Sequence, residues 1–255
     1  MAARRTRSRS GRHFLGRRAA AELVDSCGFG PTDLVFEIGA GRGVLTRELA
    51  ERVRRVVAVE LDPALASRLS RRYARSAVVD VREGDVLQVP LPAESFRAFG
   101  NIPFGITTAL LRRLLDDPGL PLRRADLVVQ REVARKRSAD PPGNLRSCSW
   151  GPWWRFEGGL PLPAASFHPP PRVDGRVLAI TRRESPLLPT EDQHEFVRFL
   201  ERAFRRAGEP LTRALRDPRG AGPTRRVFSV AGVSNNDRPV DLTVHQWVAL
   251  FHSQR

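Results

Sequence analysis

Residues 101–107 read NIPFGIT, which places an amide, a proline and an aromatic ring within four successive positions. One meaning is a strand end followed by a loop and a helix. The other is a pocket for a flat, hydrogen-bonding substrate, and an adenine fits the second. Its exocyclic amine is a poor nucleophile because the nitrogen lone pair is delocalised into the ring. Two acceptors aimed at the N–H bonds favour the pyramidal, more nucleophilic form. Asn101 offers a side-chain oxygen and Ile102 a carbonyl. Pro103 has no N–H to donate and stiffens the turn, and Phe104 presents a face on which a base stacks. Such a site works by orientation and electrostatics. It needs no metal, and the five histidines show no metal-ligand spacing, so none is expected.

A second constellation lies upstream. Gly39, Gly41 and Gly43 follow the apolar run LVFEI (34–38) and open a helical pattern. Their backbone can approach a ligand closely and offers N–H groups to it. A dinucleotide site wants a third glycine or an alanine at position 44, where this chain has Val44. A ligand without a pyrophosphate suits the loop better, and S-adenosylmethionine, with a carboxylate, a ribose and an adenine, fits. Glu60 ends the next apolar run, 21 residues past Gly39, where a carboxylate can accept both ribose hydroxyls. Asp85, in EGDVL, follows the third run, where it can accept from an adenine amino group. Either acid alone would more often be a solvated loop residue or a helix cap. On successive strand ends, the three features point to one cofactor site. No GK[ST] loop is present, which disfavours NTP hydrolysis.

These residues need a scaffold. Runs at 34–38, 56–60, 77–81, 96–99 and 126–130 read as strands, and 176–183 as a last one. Leu45, Leu49 and Val53 repeat at helical spacing, as do Leu110, Leu111, Leu114 and Leu115. Alternating strands and helices predict an α/β fold with a parallel sheet. Residues 138–152 are rich in Pro, Gly and Ser and read as a loop. Beyond 183 the pattern changes. Phe196, Phe199, Leu200, Ala203 and Phe204 line one helix face, and Thr243 precedes a second amphipathic run, VHQWVALF. Residues 11–183 thus form the sheet domain and 184–255 a small helical domain. Arg198, Arg202, Arg205 and Arg206 fill the rest of the first helix, as either a solvated face or an RNA contact.

Composition narrows the partners. Lys136 is the one lysine among 43 basic residues, and the formal net charge is +15. Basic stretches at 4–12, 68–75, 131–137 and 202–206 attract polyanions, nucleic acid first. Cys27 and Cys148 form neither a ligand cluster nor a disulfide framework, which fits a reducing cytoplasm. No apolar run approaches the roughly 18 residues of a membrane span. Residues 1–10 are basic and lack acids, and read as a flexible RNA-contacting arm rather than a transit peptide.

Together, NIPFGIT, EIGAGRG, VEL with Asp62, GDV and FHPPPRVDG resemble the ribosomal RNA adenine N6-methyltransferases. The branch is the Erm type, which confers macrolide–lincosamide–streptogramin B resistance. The likeness spans roughly residues 10–255, including the DLTVHQWVALF ending. Ile102 separates this chain from DNA adenine-N6 enzymes, which usually carry two prolines there. The resemblance implies a Rossmann-like, class I S-adenosylmethionine-dependent methyltransferase sheet with a C-terminal all-helical, RNA-binding domain. It implies methylation of one adenine in the peptidyl-transferase region of 23S rRNA by a cytoplasmic monomer acting on protein-poor precursor RNA. It also implies roles for individual residues. His13, Leu15, Gly39, Gly41, Glu60, Asp85 and Asn101 meet the cofactor. Asn101, Ile102, Pro103 and Phe104 form the catalytic run, and Phe104 and Phe167 hold the target base. Arg12 stands where the family usually has Gln and, like Arg135, is assigned to RNA. Two alternatives remain. One is the small-subunit rRNA adenine dimethyltransferase, which shares most of these motifs. The other is a non-catalytic rRNA-binding assembly or transcription factor on the same fold, expected to have a broken NIPF or glycine loop.

Overall fold

The computed structural model describes residues 13–216 and 225–253. Arg12 and the expected arm at 1–10 lie outside the described residues. In chain order the elements are β1 (Phe14–Leu15), α1 (Arg17–Ser26), β2 (Leu34–Ile38), α2 (Val44–Ala50), β3 (Arg55–Glu60), α3 (Pro63–Arg72), β4 (Val79–Glu83), β5 (Phe96–Asn101), α4 (Thr107–Leu115) and β6 (Leu122–Gln130). Then follow α5 (Arg131–Arg137), α6 (Leu145–Trp150), β7 (Trp154–Leu162), β8 (Phe167–His168), β9 (Gly175–Arg182), α7 (Gln193–Phe204), α8 (Leu211–Ala214), α9 (Arg225–Val230) and α10 (Val244–His252).

Seven strands form one sheet in the order β4-β3-β2-β5-β6-β9-β7. β2, β3, β4, β5 and β6 pair in parallel, and β9 joins β6 antiparallel. β2 sits between β3 and β5, and all five of its residues are buried. That explains why LVFEI is a nearly continuous apolar run rather than an alternating one. The chain order crosses from β4 back to β5 on the other side of β2. A crevice opens at such a switch point, beyond the carboxyl ends of the strands. Glu60 and Asn101 close β3 and β5 there.

The chain divides into two compact units. One contains the described residues up to Ala134 together with Glu157–Thr181; the other contains Arg135–Phe156 and the described residues from Arg182. Residues 135–156 therefore group with the helices, not with the sheet domain in which the sequence pattern placed them. Their own packing gives the reason. Arg183 and Leu187 donate backbone N–H bonds to the carbonyls of Trp153 and Pro152, and Gly151 lies flat against Val244. Trp153 meets Phe196 edge to face.

Three local expectations need correction. The stretch 138–152 is not all loop. Asn144 accepts from the Ser147 N–H and caps α6, a helix whose Ser and Gly neighbours disguised it. The third strand runs two residues later than its apolar pattern, at 79–83. β7 carries three glycines and prolines in nine residues and gave no alternating signal. The C-terminal unit follows its pattern closely. Thr243 and Gln246 form a capping box at α10, and Phe196, Phe199, Trp247 and Phe251 stack into its core at centroid distances of 5.3–6.5 Å. Among the described residues, no helix is long and apolar enough to cross a membrane.

Candidate functional site

A cavity of about 610 Å³ opens in the sheet unit at the switch point. Around it the structure brings together His13, Leu15, Gly39, Gly41, Glu60, Asp85, Asn101, Ile102, Pro103, Phe104 and Phe167. Arg135 is not among its lining residues. It is exposed on α5, in the other unit.

The glycine loop forms one wall. Gly39, Gly41 and Gly43 have φ of 71°, 59° and 73°, a conformation that favours glycine. The Gly39 and Ala40 N–H groups both donate to the Val59 carbonyl, which ties the loop to the end of β3. A side chain at Gly39 would point at the Asn101 carbonyl from 3.9 Å, into the gap between the loop and β5. At Gly41 it would press on the Phe14 ring at 3.1 Å. The loop is thus kept bare on the side that faces a ligand.

Glu60 stands at the edge of this wall. It is buried, and each carboxylate oxygen accepts one backbone N–H: Oε2 from Gly41 at 2.7 Å and Oε1 from Asp62 at 2.8 Å. A carboxylate has roughly four acceptor positions, so a vicinal diol can still bind. The two backbone bonds hold the group in one orientation. Asp62 itself is spent as the cap of α3, accepting from Ala64 and Leu65. Asp85 is half-buried, and its Oδ1 accepts from the Leu87 N–H. These residues fit an adenosyl group with a charged amino-acid end. Cavity-lining residues that the sequence did not single out include Phe14, Arg42, Leu61 and Val86. Leu61 and Val86 each directly follow one of the two acids, and Leu61 is an apolar side chain left 57% exposed. That position after each acid was the available signal.

The opposite wall is the NIPF run. The Asn101 side-chain nitrogen donates to the His13 carbonyl at 2.6 Å. This bond commits the amide nitrogen to the protein and leaves Oδ1 as the acceptor facing a ligand. The Ile102 N–H is spent on the Val128 carbonyl, and the Ile102 side chain is buried, which fixes the backbone whose carbonyl follows. Phe104 begins a short 3₁₀ turn, Phe104–Ile106, ahead of α4, and its ring is partly exposed.

A two-stranded ladder completes the enclosure. β1 pairs antiparallel with β8, setting Leu15 opposite Phe167 and Phe14 opposite His168. The Nδ1–H of His13 donates to the Pro169 carbonyl at 2.7 Å, and its ring lies 6.3 Å from that of Phe104. Phe167 is 3% exposed and packs into the core with Leu15. It lines the cavity as a fixed wall.

Beneath the glycine loop lies Glu37, fully buried on β2. Neither of its oxygens nor the Thr46 hydroxyl finds a hydrogen-bond partner of good geometry. Burial pushes its carboxyl up to about 7; Thr46 opposes the shift and the neighbouring Glu60 adds to it. Among the described residues, no cluster of His, Cys, Asp or Glu is arranged to hold a metal.

The profile of the family described as "Ribosomal RNA adenine dimethylase" matches residues 3–254. The chain is similar to an rRNA adenine N-6-methyltransferase of Streptomyces fradiae, 37% identical over 98% of this chain and 79% of the relative. It is also similar to a ribosomal RNA small subunit methyltransferase A of Synechococcus sp. (strain WH7803), 33% identical over 96% of this chain and 92% of the relative. Among solved structures, the 23S rRNA methyltransferase ErmE superposes with a TM-score of 0.80 at 30% identity, covering 94% of this chain and 98% of that one.

Proposed function

This chain belongs to the ribosomal RNA adenine dimethylase family, as an rRNA adenine N6-methyltransferase, and we propose that its target is one adenine in the peptidyl-transferase region of 23S rRNA. Modification there would confer macrolide–lincosamide–streptogramin B resistance. The observation that carries the reading is the Asn101 amide. Its nitrogen is held by the His13 carbonyl, so its oxygen is presented to the cavity that Glu60 and Asp85 also line.

S-adenosylmethionine, when bound, supplies an electrophilic methyl group on a sulfonium. The protein's part is placement. Glu60 accepts from the ribose hydroxyls with the positions its two backbone bonds leave over. Asp85 accepts from the cofactor's adenine amine, with Leu61 and Val86 beside it. The bare loop at Gly39 and Gly41 admits the amino-acid end. Asn101 Oδ1 and the Ile102 carbonyl accept from the two N–H bonds of the target N6, which turns its lone pair toward the methyl group. Phe104 stacks on the target base, and Phe167 with Leu15 walls it off from water. No side chain needs to change protonation state, so orientation dominates. The helical unit, with Arg198 and Arg202 on α7, Arg205 and Arg206 just past its end and Arg135 on α5, is assigned to RNA contact. The enzyme acts as a cytoplasmic monomer on protein-poor large-subunit RNA.

ErmE is a 23S rRNA methyltransferase, and its 30% identity over nearly the whole chain supports the large-subunit target. The small-subunit reading draws on the Synechococcus relative at 33% identity. Tritiated S-adenosylmethionine with protein-free large- and small-subunit rRNA, followed by mapping of the labelled base, separates them. Label on a single large-subunit adenine is expected; label confined to small-subunit RNA would replace the first reading by the second.

A further inference from the structure

A second depression, also of about 610 Å³, adjoins the first. It is lined by Arg42 of the glycine loop and by Leu65, Arg68, Leu69 and Arg72 of α3. Arg42 and Leu65 line both cavities, so the two share a rim. Three arginines line it and no carboxylate does. Some exposed arginines on this unit are balanced, as Arg54 is by Glu94 at 2.6 Å and Arg55 by Asp80 at 3.2 Å. Arg42, Arg68 and Arg72 have no carboxylate within ion-pair distance among the described residues.

Two of the three are also held in place. The Arg42 guanidinium lies 4.7 Å from the centroid of Phe14, and that of Arg72 lies 5.4 Å from Tyr73. Stacking on an aromatic face restrains the planar group and leaves its edge N–H donors free, the arrangement that suits a bidentate phosphate. Arg68 and Arg72 stand four residues apart on one face of α3, so they point to the same side. Like charges without counter-charges repel, and an anion relieves them.

We propose that this cavity binds backbone phosphates of the substrate RNA strand beside the target adenine, holding the strand in register with the Asn101 pocket. The proposal rests on the reading of RNA as substrate. A groove of this sort tracks a single strand's backbone without reading its sequence.

The test is equilibrium binding of a synthetic RNA hairpin bearing the peptidyl-transferase loop to the full chain, between about 50 and 200 mM salt. On single strands each phosphate contact adds about 0.7 to the slope of log affinity against log salt. R68Q/R72Q should therefore show a slope shallower by about 1.4 and a raised KM for RNA, with cofactor affinity by calorimetry unchanged. R68K/R72K keeps the charge and should keep most of the slope. R54Q/R55Q removes the same net charge from balanced positions and should behave as the parent. A slope in R68Q/R72Q equal to the parent's overturns the proposal, as does an equal loss in R54Q/R55Q, which would reduce the effect to bulk charge. Displacement of inorganic pyrophosphate without any change in RNA slope would reassign the cavity to a small anion and overturn it too. Failure of the parent to methylate any rRNA would sink the substrate reading instead, and the salt comparison would still stand.

Discussion

The two ends of the sheet treat buried charge in opposite ways. Toward the amino ends of the strands, Arg97 is 7% exposed and spends both terminal nitrogens on four acceptors. These are the Gly28 and Cys27 carbonyls, at 2.9 and 2.6 Å, and Asp33 and Asp126, both at 3.1 Å. Its face stacks on Phe29 at 4.1 Å, and Arg124 takes up Asp126 from the other side. The Arg97 Nε alone finds no partner, and it is enclosed by protein. At the carboxyl ends, Glu60 accepts one N–H per oxygen, Asn101 gives its nitrogen and keeps its oxygen, and Glu37 has no well-aligned partner. A buried polar group whose capacity is exhausted is structure. One held rigidly with capacity in reserve is a binding site, because its desolvation cost is offset only when the ligand arrives.

The comparison can be broken from either end. The largest effect is expected at the closed end. Arg97→Met leaves Asp126 to Arg124 and Asp33 to Arg123, orphans the Cys27 and Gly28 carbonyls, and should cost up to about 3–5 kcal/mol in chemical denaturation. A loss below about 1 kcal/mol would mean the network is not a structural lock. At the open end, Asn101→Ala should leave the denaturation midpoint nearly unchanged. It should lower single-turnover methyl transfer by about 10²–10³-fold, the usual cost of removing one oriented hydrogen-bond partner from a transition state. Normal transfer in that variant would remove the amide from the chemistry.

The third effect is a pH dependence of at most about 3 kcal/mol. Glu37 is raised from its ordinary 4.5 to about 7 in the folded protein, chiefly by burial. The folded state therefore holds a proton that the unfolded chain releases. This contribution is fully present below the ordinary value and is lost as pH rises through about 7. The stability of the parent relative to Glu37→Gln should fall between about pH 5 and pH 7 and level off above. A flat difference would show that Glu37 holds its proton no more tightly in the folded chain than in the unfolded one.

Several strands were legible because their apolar runs have the length and bounds of interior parallel strands: 34–38 and 126–130 match within a residue of β2 and the end of β6. Glu60 stood out as the acid that ends an apolar run, whereas Asp85, close to Asp80 and Glu83, gained meaning only beside the glycine loop and Glu60. Helix α6 was hidden because a Pro-, Gly- and Ser-rich composition outweighed a single capping residue. The ladder of Phe14 and Leu15 with His168 and Phe167 left no local mark at all. Its partners lie about 150 residues apart, and two-residue strands have no period to read. Phe167 therefore entered only through the family resemblance, and pairing sets it opposite Leu15.

The sequence by itself determined which acceptors and rings exist and the order in which they reach the strand ends, because side-chain chemistry and hydrophobic period are local properties. It could not say which way the Asn101 amide faces. It was equally silent on Glu60's two backbone bonds and on the arginines of α3 lining one cavity with Arg42. Those were decided by tertiary structure. Each depends on hydrogen bonds or approaches between segments far apart in the chain, and only the closed sheet brings those segments within reach.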